Sequence, residues 1–431
     1  MKIRAALCCL AASGLLLSAC SEDSGTIDEP DGSATSQAAE EETEAQAFDP
    51  PKAFDADAGV ALPAEAVQSK MNITGVNVQP LPVALVGTNA FIASVERLQV
   101  VDTATGEALP DVVPASGTPM SPQFATGMVG ENMNEPPLVV ESGGASIVVA
   151  PFLVTGADGN DDLDVVGVDG ATGEVVFDVA VDVPGSELGG YSFAAAVGES
   201  AGVVVINVSD QYTVAFDTAT EAKVWDNPTA PSAVTGDVAI ISAVAGDYTY
   251  DAITIADGTP LWQGKDLGIA DVDFASIQSA GPDYFLILGS NLTLTNGNMP
   301  YDSLFATATG EVVAQEERDM AGVECRLDGQ ETVVCFYRGP DNWVAAMDTA
   351  TGEWLWDSET GIPGINVTAV WHGIAYGFDG TVPAALDVRT GERIEPAPMV
   401  APYVVNEYTA VADTTTGTWG DGGVSAYPAI G

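Results

Sequence analysis

Ala346-Met347-Asp348-Thr349-Ala350-Thr351-Gly352-Glu353-Trp354-Leu355-Trp356 is the stretch whose reading decides the fold. Apolar residues lead into an Asp, a short polar turn ends at a Gly, and apolar residues resume with Trp. The Asp carboxylate can accept hydrogen bonds from backbone N–H groups of the turn, and Thr does the same more weakly. The Gly supplies the positive φ that closes a tight hairpin with the correct twist. The stretch predicts two antiparallel strands joined at Gly352.

The same phrase returns along the chain. Asp102 and Gly106 carry it in VVDTATGEAL, Asp169 and Gly173 in GVDGATGEVVF, and Asp387 and Gly391 in ALDVRTGERIE. Three copies depart from it: AFDTATEAKVW keeps Asp217 but has Glu221 in the Gly place, AITIADGTPLW has Thr254 before Gly258, and LFATATGEVVA has Ala306 before Gly310. Successive Gly places are 67, 48, 37, 52, 42 and 39 residues apart, and Pro428 in VSAYPAIG lies 41 residues after Asp387 as a degenerate eighth copy. A period of about 40 to 50 residues suits four-stranded propeller blades. The long interval predicts an insertion near residues 112–136. Four places after the Gly stand Phe177, Trp225, Trp262 and Trp356, with Pro110, Ala314 and Glu395 in other copies. An aromatic at one fixed place per blade is suited to wedging between neighbouring sheets, so these side chains are expected in the core rather than in a ligand cage.

Written as A-x-D-x-x-T-G-x-x-x-W, the pattern resembles the pyrroloquinoline-quinone-type β-propeller repeat over about residues 70–431. The resemblance implies an all-β propeller of four-stranded antiparallel blades. Eight blades are expected, at about 45 residues each, with seven as the alternative. The last blade is expected to take its missing outer strand from NITGVNVQPLP (residues 72–82), which would hide an open sheet edge.

The chain of 431 residues carries 62 acidic and 12 basic side chains, a formal charge of −50. A field of that sign repels phosphate backbones and argues against nucleic acid as a partner. Lys2 and Arg4 precede an apolar run over residues 5–19, which is shorter than the roughly 20 residues a membrane-spanning helix needs. Leu17-Ser18-Ala19-Cys20 resembles the lipobox of bacterial lipoproteins, which implies a signal peptide at 1–19, acyl chains on Cys20 and an extracytoplasmic, membrane-anchored product. An ordinary signal peptide with a chance Cys near its end is the other reading. Residues 20–69 read as the lipidated Cys and an acidic, self-repelling linker.

With Cys8 and Cys9 in the signal and Cys20 lipidated, Cys325 and Cys335 remain. They flank a hairpin signal at Asp328-Gly329, and an oxidising compartment favours a bridge between them. Two buried free thiols are the alternative, because the register is open at this point. Asp158, Asn160 and Asp162 alternate as the first ligands of a Ca²⁺ loop do; a polar hairpin loop reads the same residues equally well. His372, the one His of the chain, has no second His to work with and is expected to be a hydrogen-bonded sheet residue.

The repeat class contains quinone-dependent dehydrogenases and lipid-anchored binding scaffolds, of which the outer-membrane assembly lipoprotein is the familiar example. The dehydrogenases would need cations for the quinone's three carboxylates, and seven Arg with five Lys are a poor supply. The expectation is therefore a non-catalytic scaffold without quinone, bound to a membrane through its lipid and to an extracytoplasmic protein or ligand. A quinone oxidoreductase or a Ca²⁺-responsive surface sensor is the alternative.

Overall fold

Strands that are apolar at most positions on both faces must be covered on both, and this chain is rich in them. Val203–Val208 is buried throughout, and Tyr212–Asp217 nearly so. The computed structural model describes residues 45–66, 81–120, 135–157, 159, 161–183, 193–244, 247–266, 275–289, 303–315, 320, 322–337, 342–361, 364–413 and 423–431. Residues 1–19, expected to be a signal peptide, and Cys20 lie outside the described residues, as do Asp158 and Asn160. Ala45–Gly431 forms one compact unit.

Eight antiparallel sheets follow one another. Blade 1 holds Val83–Val86, Asn89–Ala93 and Leu98–Asp102. Blade 2 holds Leu138–Ser142, Ala145–Gly156, Asp161–Asp169 and Val175–Asp182, with Gly117–Pro119 paired to the far end of its long second strand. Blades 3 to 6 are regular four-stranded units spanning Ala194–Asn227, Pro231–Gln263, Ala275–Gln315 and Val323–Asp357. Blade 7 holds Asn366–Trp371, Ile374–Asp379 and Val382–Asp387. Blade 8 holds Val404–Val405, Thr409–Asp413 and Val424–Pro428.

Eight apolar clusters sit between adjacent sheets, one at each junction. The last joins Val411, Val424 and Ala426 of blade 8 to Val83, Ile92 and Val101 of blade 1. The innermost strands touch in succession, and Val404–Val405 meets Val83–Val86 to complete the ring. Eight blades is thus the observed count.

Three expectations need correction. Blades 1 and 7 have three full strands, not four; their outer edges carry isolated bridges only, Val101–Ala108, Leu98–Val112 and Leu386–Arg393. Pro110 and Pro396 stand in these outer segments, and a residue without an N–H cannot extend a ladder. Blade 2 has five strands, and Gly117–Pro119 accounts for part of the long repeat interval.

The third correction concerns closure. The strand that completes blade 8 is Val60–Ala61, paired to Ala426 and Ser425, and not the segment at 72–82. Residues 45–66, expected within the linker, belong to the folded body. Phe54 is fully buried against Tyr376, the Tyr376 hydroxyl donates to Pro51 O at 2.6 Å, and the Leu62 N–H donates to Val424 O at 2.9 Å.

Candidate binding face

Up-and-down blades sort their loops onto two faces. The repeat turns, between third and fourth strands, share one face with the hairpins between first and second strands. Blade-to-blade connections and the hairpins between second and third strands share the other.

On the first face the motif residues do what their chemistry suggests. Asp102 Oδ1 accepts the Ala104 N–H at 2.8 Å, Asp169 Oδ1 the Thr172 N–H at 2.8 Å, and Asp217 Oδ1 the Ala219 N–H at 2.8 Å. Asp348 and Asp387 repeat the pattern toward Ala350 and Thr390 at 3.0 and 2.9 Å. Asp169 is held below the ordinary range, first by the Thr172 amide, and Asp348 first by the Arg389 guanidinium. Gly106, Gly173, Gly258, Gly310, Gly352 and Gly391 all have φ between 69° and 76°, and Glu221 in the same place has φ 54°. Where Thr254 replaces Asp, Asp257 in the Thr place accepts the Thr259 N–H at 3.0 Å, as the motif Thr does in other copies, and the Thr254 hydroxyl accepts the same N–H at 3.0 Å. Where Ala306 replaces it, the backbone turn persists through the Gly310 N–H to Ala306 O bond at 2.8 Å.

The aromatics of the repeat lie between blades. The Trp225, Trp262 and Trp356 indole N–H groups donate to Ile255 O, Thr307 O and Val388 O at 2.7, 2.9 and 2.8 Å. Each acceptor belongs to the next blade and immediately follows that blade's Asp place. Phe177 has no donor; its ring covers Gly167 across the strand pair and lies 5.6 Å from Phe216 of blade 3.

Cys325 and Cys335 are directly paired across the first two strands of blade 6 and form a disulfide with Cα atoms 4.0 Å apart. Asp328 shapes the hairpin between them by accepting the Gln330 and Thr332 N–H groups at 2.8 and 3.0 Å. His372 stacks on Trp371, pairs through Nδ1 with Asp49 and donates its amide to Asp328 O.

Asp162 is not on a loop: it sits within the strand Asp161–Asp169, opposite Val154 and Asp182. Among the described residues, no group of three or more His, Cys, Asp or Glu side chains is placed to hold a metal ion.

The connection face carries a small recess, open to solvent. Val95, Met120, Pro136, Phe152 and Ala195 give it apolar walls, and Glu135 is its carboxylate. Burial, and then the negative charge of Asp210, push the Glu135 carboxyl above its ordinary range. Neither residue belongs to the repeat, so pattern reading passed them by.

The four described arginines are all committed to acids: Arg97 to Glu65 and Asp111, Arg326 to Glu324, Arg389 to Asp348 and Glu331, and Arg393 to Asp379.

Fold and geometry together define an eight-bladed, single-chain β-propeller. No protein-family model matches the chain, and no curated protein matches it. Solved structures similar to it include the computationally designed Ika8 protein, at TM-score 0.47 and 15% identity over 84% of this chain and 99% of the other. BamB from Moraxella catarrhalis aligns at TM-score 0.42 and 15% identity over 86% of this chain and 99% of the other.

Proposed function

We propose that this chain is an exported lipoprotein, anchored through Cys20, whose propeller is a non-catalytic scaffold for an extracytoplasmic partner protein. The observation that carries the reading is the division of labour between the two faces. On one, Asp, Thr and Gly of the repeat are consumed in closing turns, and the Trp side chains are consumed in docking blades. On the other, connections differ from blade to blade and surround an apolar recess with the Glu135 carboxyl in it. A scaffold needs such a surface, built on a frame that its repeats hold rigid.

The engagement of Arg97, Arg326, Arg389 and Arg393 with neighbouring acids supports a scaffold over a quinone oxidoreductase. A tricarboxylate cofactor would have to displace those acids or find its cations elsewhere. Acyl chains on one residue would hold the protein on the membrane, each buried methylene contributing about 0.8 kcal/mol.

Crosslinking in intact cells followed by mass spectrometry tests the scaffold. A reproducible crosslinked partner is expected, and recovery of monomer alone at native abundance refutes the reading. Cys20→Ala tests the anchor separately. The variant should leave the membrane fraction and stop incorporating labelled fatty acid, and unchanged retention overturns the assignment.

A further inference from the structure

Blade 2 sets a fully buried carboxyl, Asp164, beside a partly exposed one, Asp178, and no repeat motif requires either. On its third strand Asp164 lies two and four residues from Val166 and Val168, on the same face of the sheet. That face packs on Phe91, Leu98, Val100 and Val112 at the junction with blade 1. Asp164 is 0% exposed. Its Oδ2 accepts the Ser116 N–H at 3.0 Å, while Oδ1 is buried with no hydrogen-bond donor. Asp178, on the neighbouring strand, accepts the Ala115 N–H through Oδ2 at 3.1 Å, and it stands diagonally beside Asp164 on the same face, two residues from Ala180, the cross-strand partner of Asp164. Two successive amides of the connection from blade 1 to blade 2 are thus held by two neighbouring carboxyls.

Two carboxylates sharing a site, one of them fully buried, raise the cost of charging both, so one of them holds its proton to a higher pH. One proton between them removes a charge and gives the orphaned Asp164 Oδ1 its donor. A cation could neutralise the pair too, but Ca²⁺ takes six or more oxygens, roughly twice what the two carboxyls and the buried Ser116 hydroxyl could supply. Among the described residues no cation is paired with either carboxyl, and the Lys223 ammonium of blade 3 is turned to Asp226 and the Asp182 carbonyl. Blade 1 presents Phe91, Leu98, Val100 and Val112 here, and Arg97 ahead of its third strand is turned to Glu65 and Asp111. The adjoining second strand of blade 2 presents Ala150, Phe152 and Val154. Asp162 with its cross-strand partner Asp182, and Asp161 and Asp169 at the ends of the third strand, are the further acids along these strands.

We propose that Asp164 and Asp178 share one proton and act as a latch, fastening the connection between blades 1 and 2 while the proton is held and loosening it when the proton leaves. Burial first, then the hydrogen bond and charge of Asp164, raise Asp178 to about 6. A folded-state value above the unfolded one stabilises fully below the ordinary carboxylate range, and that contribution is lost as pH rises through about 6. The junction should therefore be tight in mildly acidic surroundings and loose at alkaline pH.

Hydrogen exchange on the full chain, read on the peptide spanning residues 112–120 and corrected for intrinsic amide chemistry, tests the latch. Protection should fall by about tenfold between pH 5 and 8, the factor corresponding to one pKa unit of differential interaction. Asp178→Asn keeps an acceptor for the Ala115 amide and gives Asp164 a permanent donor, so its protection should hold at both pH values. Asp164→Asn reverses the arrangement and should behave alike; it serves if the first variant fails to fold. A flat wild-type profile overturns the latch whatever the variants do, and so does a pH profile shared by wild type and variants. Recovery of protection at pH 8 on adding Ca²⁺ at constant ionic strength would assign the pair to a cation and overturn the shared proton.

Discussion

Glu221 shows what a single residue contributes to a repeated turn. Its six Gly counterparts occupy the left-handed region without strain, whereas Glu221 holds φ 54° with a side chain attached. An L-residue in that region loses roughly 1–2 kcal/mol. Gly gives part of that back through the larger entropy of its unfolded chain. Glu221→Gly should stabilise the protein by about 0.5–1 kcal/mol, read as a rise in the urea midpoint; an unchanged or lower midpoint contradicts the argument. Asp169 and Asp348 carry a second residue-scale prediction. Their lowered folded-state values mean that their contribution is present above the ordinary carboxylate range and lost as pH falls through the lowered ones. Asp169→Asn should therefore destabilise the protein at pH 6 but converge on wild type near pH 2, measured by urea titration at both; a constant difference would mean that the turn does not depend on the charge. The role of these Asp side chains was legible because a turn is a local object, written in five consecutive residues. How the turn of blade 4 closes without its Asp was not, because Asp257 stands in the Thr place of the phrase and its bond to the Thr259 amide belongs to the folded turn.

Between elements, docking is where the repeat becomes a ring. Each of the three repeat Trp residues, Trp225, Trp262 and Trp356, bonds the backbone of the next blade, so the residue that marks a blade in the sequence ties it to its neighbour in space. Their burial followed from the pattern; their acceptors did not, since each lies 30 to 45 residues further along. Trp356→Phe keeps most of the packing and leaves the buried Val388 carbonyl without its donor. The expected loss is about 1–3 kcal/mol, the cost of an unsatisfied buried polar group. Chemical denaturation measures it, and a variant as stable as wild type would show the indole bond to be dispensable. Phe177 marks the natural limit of this substitution: blade 2 docks without an indole, using ring contact with Phe216 and its long second and third strands instead. The disulfide shows the same boundary of legibility. Two Cys around a turn signal suggested a bridge, and the register that places them opposite each other is a property of the paired strands.

At the scale of the whole molecule, a ring is stable only if its last sheet meets its first, and this closure was the part least visible in the chain. Repeat counting located blade 8 but not the source of its fourth strand. The segment that performs the task, residues 45–66, has no alternation, carries Pro50, Pro51 and several acids, and contributes a strand of just two residues. Its anchor is instead one aromatic side chain: Phe54 is fully buried, bridges to Ala429 and faces Tyr376, while backbone bonds from Asp55 and Leu62 reach Pro428 and Val424 at 2.9 Å each. Removing the Phe54 ring should cost about 3–5 kcal/mol, as for other fully buried aromatics. The loss should first appear as faster hydrogen exchange in Thr409–Asp413 and Val424–Pro428, the strands that the N-terminal segment covers, ahead of any change in blades 3 to 6. A chain beginning at Ala45 should melt with the full-length protein, and one beginning at residue 67 should melt well below it. If both shortened chains melt alike, the ring closes through blades 8 and 1 alone, and the N-terminal segment adds cover without stability.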